Sequence, residues 1–120
     1  MSSLRKFAVA WLLMWAFAYI MTAFFAPYIG AGDVIVNFAI FYALGSWILC
    51  SLILYWVERF RFIGRIFLFI LGLVEVFGGI ASWCGLVVWN VPFANKEIFQ
   101  VSMAFADLIS AVFMFYLAID

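Results

Sequence analysis

Two acidic residues, Glu75 and Asp107, lie inside long apolar stretches of the sequence. A charged side chain at the centre of a bilayer costs about 2.5–3.5 kcal/mol on insertion scales, so such a residue usually faces the interior of a helix bundle and has a partner there. The apolar stretches contain no Lys, Arg or His that would neutralise the two acids. We therefore expect at least one of the two carboxyls to carry a proton and to donate a hydrogen bond to a neighbour.

A protonated carboxyl pair inside a membrane has two distinct uses. It can exchange its proton for another cation, which is the chemistry of many coupled transporters. Neutral acids can also simply join helices, with each interhelical hydrogen bond contributing about 0.6–2 kcal/mol. The sequence leaves both uses open.

The apolar stretches around these acids are long enough to cross a membrane. Of the 120 residues, 72% are hydrophobic and only 10% are charged. Strands of a membrane barrel would be about ten residues long with strict alternation, a pattern that is not visible here. The pattern predicts an all-α integral membrane protein, an antiparallel bundle of four transmembrane helices in one domain over residues 1–120, with helices at about 7–29, 34–57, 66–89 and 97–119.

The basic residues predict how this bundle is oriented. Five of the six lie before the first helix or between the second and third, at Arg5, Lys6, Arg59, Arg61 and Arg65. Loops rich in Lys and Arg stay on the cytoplasmic side of a membrane. We therefore expect both termini in the cytoplasm and the chain in the cytoplasmic (plasma) membrane. Membrane orientation explains why these basic residues cluster, so no nucleic-acid partner is expected.

The same topology predicts a layer of polar side chains at one depth. At 1.5 Å per residue, Glu75 and Asp107 fall roughly 14–18 Å from the inner surface of a ~30 Å hydrocarbon core. Tyr19 of the first helix and Tyr42 of the second fall close to the same plane. The sequence therefore predicts an intramembrane polar layer with one residue from each helix: Glu75, Asp107, Tyr19 and Tyr42.

Small residues lie at helical spacing around both acids. Such residues allow helix backbones to approach closely in lipid. They are expected to form the packing surfaces of the third and fourth helices, at Gly72, Gly78, Gly79, Ser82, Ala104 and Ala111.

Residue types and spacings exclude several functional classes. With no His in the chain, a haem, copper or zinc site built on imidazole is excluded. No nucleophile with an adjacent base, glycine-rich phosphate loop or metal-ligand spacing is visible. We expect no catalytic residue, no metal and no cofactor. Cys50 and Cys84 fall at depths that differ by roughly 10–20 Å, too far apart for a disulfide.

The length and helix count resemble those of the small multidrug resistance transporters, four-helix proteins that work as dimers. That family carries its essential glutamate in the first helix, where this chain has only Tyr19 and Thr22 as polar groups. The chain is therefore not assigned to that family.

Two functions fit this sequence. The first is a small noncatalytic membrane protein that acts as an accessory, regulatory or immunity-type partner of a larger membrane complex. Its partners would be the lipid bilayer and another membrane protein or further copies of itself. The alternative is a small proton- or cation-coupled transporter or channel subunit that uses the mid-membrane carboxylate pair. We favour the first, because four short helices leave little room for a substrate cavity in one protomer.

Overall fold

Four long α-helices form almost all of the described chain. The computed structural model describes residues 3–25, 34–86 and 95–120. The helices are α1 (Ser3–Phe24), α2 (Val34–Trp56), α3 (Arg61–Trp83) and α4 (Lys96–Ile119). Each has 22–24 residues, or about 33–36 Å at 1.5 Å per residue, and can cross a ~30 Å hydrocarbon core. The prediction of four helices long and apolar enough to span a membrane is confirmed.

The helices pack as a ring in chain order. In the described residues, α1 contacts α2 and α4, and α3 contacts the same two helices, whereas the diagonal pairs stay apart. Asp120 forms an ion pair with Arg5 near the start of α1, and its backbone carbonyl accepts a hydrogen bond of 2.8 Å from Arg65 near the start of α3. Sequential helices are therefore antiparallel. We call the end with Arg5, Arg65 and Asp120 the termini end, and the other the opposite end.

Helix α3 differs most from the prediction of 66–89, because it begins at Arg61 and ends at Trp83. It begins early because the connection from α2 consists only of Val57 and a single 3-10 turn, Glu58–Phe60. It ends early because Gly85 has φ +77°, a left-handed conformation that closes a helix. The Leu86 amide bonds the Ala81 carbonyl at 2.8 Å and the Gly85 amide bonds the Ser82 carbonyl at 3.3 Å. Residues 87–89 lie outside the described residues.

The other helices lie closer to their predicted bounds. Helix α1 begins at Ser3 rather than residue 7 and ends at Phe24, while residues 26–29 of the predicted span are outside the described part. Helix α2 ends one residue early, at Trp56. Helix α4 begins one residue early because Asn95 caps it: the Asn95 side chain accepts hydrogen bonds from the amides of Glu97 and Ile98. Such a cap satisfies backbone donors that a helix start leaves free.

Apolar side chains fill the termini half of the bundle. The large, fully buried apolar residues all lie on the termini side of the two acids: Leu12, Ile48, Leu68, Leu71, Met114 and Leu117. Glycine brings backbones together there, because a Cβ on Gly64 would lie 2.4 Å from the Tyr55 amide nitrogen. The polar cluster described next occupies the bundle beyond this core.

Candidate intramembrane carboxyl site

The two intramembrane acids meet at a single tyrosine. The Tyr19 hydroxyl of α1 lies 3.0 and 3.1 Å from the two carboxyl oxygens of Glu75 on α3, and 3.0 Å from Asp107 Oδ1 on α4. The two carboxyls also lie within hydrogen-bonding reach of each other. Tyr19 thus spans the diagonal between α1 and α3, whose backbones do not touch in the described residues. We call Tyr19, Glu75 and Asp107 the acid–tyrosine cluster.

Protein surrounds the whole cluster. The exposed fraction is 6% for Tyr19, 2% for Glu75 and 5% for Asp107. The sequence has no Lys, Arg or His between residues 7 and 58 or between 66 and 95, so basic side chains cannot balance charge at this depth. Two carboxylates this close in a low-dielectric interior would repel each other strongly. We therefore expect protons to take the place of basic partners in this cluster.

The contacts themselves set the number of protons. Three groups in mutual contact make three pairs, and a hydrogen bond within each pair needs one proton. With the phenol and both acids neutral, the cluster holds three protons and every pair can be bonded. With one carboxyl ionised, the anion still accepts from the phenol and from the remaining acid. With both carboxyls ionised, the phenol proton would be the single proton available for the three carboxylate oxygens that lie close to the Tyr19 hydroxyl. The geometry therefore fits two or three shared protons.

Close packing of α3 on α4 holds the two acids together. A Cβ on Gly72 would lie 2.7 Å from the Phe115 ring, and one on Gly79 would lie 2.9 Å from Leu108 Cγ and 3.2 Å from the Ala104 carbonyl oxygen. The Gln100 amide donates to the Ser82 carbonyl at 2.7 Å. A side chain at position 79 would press on the Ala104 backbone and push the two helices apart, whereas one at position 72 would first displace the Phe115 ring.

The predicted packing residues therefore fall into two groups. Gly78 is partly exposed, and a Cβ there would meet only Asp107 Oδ2, at an ordinary 3.7 Å. No close helix contact depends on it, although it lies beside the cluster. The others are buried: Gly72, Gly79, Ser82, Ala104 and Ala111.

Tyr42 does not join the cluster, contrary to the prediction of a four-residue layer. Its side chain is 47% exposed and stacks on Phe38, with ring centroids 5.8 Å apart. The preceding residue, Phe41, faces inward instead and stacks on Tyr19 at 6.0 Å. Adjacent residues of an α-helix point about 100° apart. Counting residues predicts depth but not direction, so the prediction put Tyr42 on the wrong face of α2.

Two interhelical contacts were not predicted from the sequence. The Trp11 indole donates to the Ser110 hydroxyl at 2.9 Å, which links α1 to α4 one to two turns from the cluster. Asp120, at the end of α4, pairs with Arg5 near the start of α1. Both groups of this pair are about one-third exposed, so its contribution to stability is small. Neither contact has a local sequence signal, since each joins residues about one hundred positions apart.

A small cavity borders the cluster between α1, α2 and α4. Its volume is about 60 Å³ and it is lined by Trp15, Ala18, Tyr19, Thr22, Phe41, Phe99 and Met103. The Trp15 ring packs edge-on against Tyr19 at 5.1 Å. Its indole N–H is buried and finds no hydrogen-bond partner in the part of the chain that the structure describes. Water in this cavity would satisfy such a donor.

The described residues contain no group of three His, Cys, Asp or Glu side chains that could hold a metal ion. Cys50 and Cys84 are both free and exposed on the bundle surface. In comparisons with family models, curated proteins and solved structures, nothing matches this chain.

The geometry predicts different effects for two tyrosine substitutions. Tyr19→Phe removes the hydroxyl from two buried acids and should lower the free energy of unfolding by about 1–2 kcal/mol. Tyr42→Phe removes an exposed hydroxyl outside the cluster and should change it by less than about 0.5 kcal/mol. Reversible unfolding in bicelles measures both. Equal effects of the two substitutions would contradict the assigned role of Tyr19.

Proposed function

We propose that this chain is a small noncatalytic integral membrane protein that binds another membrane protein as an accessory, regulatory or immunity-type subunit. It lies in the cytoplasmic membrane with its termini end toward the cytoplasm, as the five bases at that end favour. The observation that carries the proposal is a large apolar groove on the outer surface of α1 and α2. Its volume is about 430 Å³ and its lining is Val9, Leu13, Leu49, Leu52, Ile53, Trp56 and Val57.

The groove suits a partner helix better than a soluble substrate. Of the described residues that line it, none is charged or carries a hydroxyl or amide side chain, and the Trp56 indole is the single hydrogen-bonding group among them. Helices in lipid associate through close packing of complementary surfaces, because apolar burial alone gives no advantage over lipid tails. Apolar side chains of a partner helix would fill this space. The cavity beside the acid–tyrosine cluster, at about 60 Å³, is far below the ~300–1,000 Å³ of typical small-molecule sites.

Filling the groove should abolish partner binding. We expect Leu13→Trp to remove a stoichiometric partner that wild-type protein retains through purification in mild detergent, because the larger ring occupies the space that the partner needs. Phe17→Trp is the matched control, since Phe17 is on the same helix, is 62% exposed and does not line the groove. Crosslinking before solubilisation, followed by mass spectrometry, identifies the partner, including a second copy of this chain.

Two results would contradict the partner role. One is purification of wild-type protein as a monomer with no crosslinked partner. The other is loss of the partner in both tryptophan variants, which would show that it does not depend on the groove.

Proton or cation binding is a second candidate function, and the acid–tyrosine cluster favours it. Glu75 and Asp107 share one hydroxyl at 3.0 Å in a site without basic residues. The cluster keeps two hydrogen bonds after losing one proton, so proton release does not require it to come apart. A site with these properties can bind and release a proton within the membrane.

Amide substitutions separate the two candidates. Glu75→Gln and Asp107→Asn keep shape and hydrogen bonding but cannot release a proton. In a purely structural role, the double variant should assemble and bind its partner like wild type. In a proton-coupled role, it should assemble but lose proton flux in vesicles. Flux equal to wild type in the assembled double variant would rule out the second candidate.

A further inference from the structure

The cavity beside Tyr19 extends mainly toward the opposite end of the bundle. On α1 its lining runs from Trp15, four residues on the termini side of Tyr19, to Thr22, three residues closer to the opposite end. On α4, which runs the other way, it reaches Met103 and Phe99, four and eight residues before Asp107. At 1.5 Å per residue, Phe99 lies about 12 Å from Asp107 toward the opposite end. The cavity therefore leads from the cluster away from the termini.

The seam between α1 and α4 is closed on the other side of the cluster. Leu12 and Met114 are completely buried there. The Trp11–Ser110 hydrogen bond of 2.9 Å crosses the seam, and the Trp11 ring packs on Phe113 with centroids 5.8 Å apart. The same two helices are thus sealed toward the termini end and separated by a cavity toward the opposite end.

The cavity has the size and chemistry to hold water. Its volume of about 60 Å³ exceeds the roughly 10–15 Å³ that one water molecule needs on the same measure. Three of the lining residues, Trp15, Tyr19 and Thr22, carry hydrogen-bonding side chains. Water also requires such polar partners, and the buried Trp15 N–H has none among the described residues.

We propose that water in this cavity connects the acid–tyrosine cluster to the opposite end of the bundle, so that the cluster exchanges its proton with that side of the membrane alone. This inference rests on the second candidate function, and it adds the route that the proton takes and the side of the membrane with which it exchanges. Tyr19 is the cluster residue that lines the cavity. In the exchange step its phenol gives a proton to a cavity water and takes up a carboxyl proton in its place, and the electron pair of the broken carboxyl O–H bond stays on the carboxylate oxygen. The phenol and the second acid then both donate to the anion.

Among the described residues, no further acidic or basic side chain is seen to contact the cluster. On α1 the group that faces it is Tyr19, on α3 Glu75 and on α4 Asp107. The α2 sequence contains no Asp, Glu, Lys or Arg, and its Tyr42 is 47% exposed. The protonation of the two carboxyls should therefore follow the pH of whichever bath the water contacts.

Carbodiimide labelling in sealed vesicles tests this directly. Dicyclohexylcarbodiimide enters through lipid and modifies carboxyls only when they are protonated, and peptide mass spectrometry locates the adduct. The pH is set independently on each side, and cysteines replacing Glu58 or Lys96 report which end of the bundle faces out. The variant with Glu75→Gln and Asp107→Asn is the control, and it should show no adduct at positions 75 and 107.

We expect alkaline pH on the opposite-end side to reduce labelling of the cluster, and alkaline pH on the termini side to leave it unchanged. If labelling instead depended on the pH of the termini side, or equally on the pH of both sides, the one-sided route would be overturned while proton binding would stand. If labelling did not depend on the pH of either side, proton exchange itself would be overturned, and with it the second candidate function.

Single cysteines test the water in the cavity. In a variant without Cys50 and Cys84, Thr22→Cys should react with a membrane-impermeant thiol reagent from the opposite-end side, at least about tenfold faster than either control, because thiolate forms only in contact with water. Phe17→Cys is the lipid-facing control and Ser110→Cys the control on the sealed side. Equal rates at Thr22→Cys and Phe17→Cys would show that the cavity is dry and overturn the proposed route.

Discussion

The absence of a basic partner for two buried acids is the constraint on which this structure depends. Elsewhere a buried carboxylate is often balanced by Arg or Lys, whereas among the described residues these two acids share a phenol and the spans around them contain no basic side chain. Such groups can stabilise one another only by sharing protons, since two bare charges in a low-dielectric interior are prohibitively costly. Structure and protonation are therefore linked: the bundle closes around a neutral or singly charged cluster.

The packing of the helices follows from that requirement. Tyr19 on α1 bonds to Glu75 on the diagonally opposite helix α3. Close packing of α3 on α4 brings Glu75 and Asp107 near enough together for one hydroxyl to reach both. The termini half is filled with aliphatic side chains, whereas the far side of the cluster is bordered by aromatic rings and a small cavity. Aliphatic packing thus holds the helices together at one end, and the cluster joins three of them farther along the bundle.

The sequence predicted the main features of the fold because hydropathy and segment length alone indicate helices that can cross a bilayer. It also indicated Glu75, Asp107 and Tyr19, since ionisable and polar groups stand out in an apolar stretch and depth follows from counting residues. Tyr42 was misassigned because depth says nothing about which face of α2 turns inward. The bounds of α3 were missed because hydropathy does not register a left-handed glycine such as Gly85. Contacts such as Trp11–Ser110 depend on side-chain rotamers across two helices, which no local pattern encodes.

The claim that protons replace basic partners can be measured by infrared spectroscopy of the purified protein in lipid at neutral pH. Protonated carboxyls have a carbonyl stretching band distinct from the bands of carboxylates, and solvated acids at this pH contribute only carboxylate bands. We expect a protonated-carboxyl band that disappears in the variant with Glu75→Gln and Asp107→Asn and shifts in Tyr19→Phe, because the phenol bonds directly to both acids. A wild-type spectrum with carboxylate bands alone would contradict it.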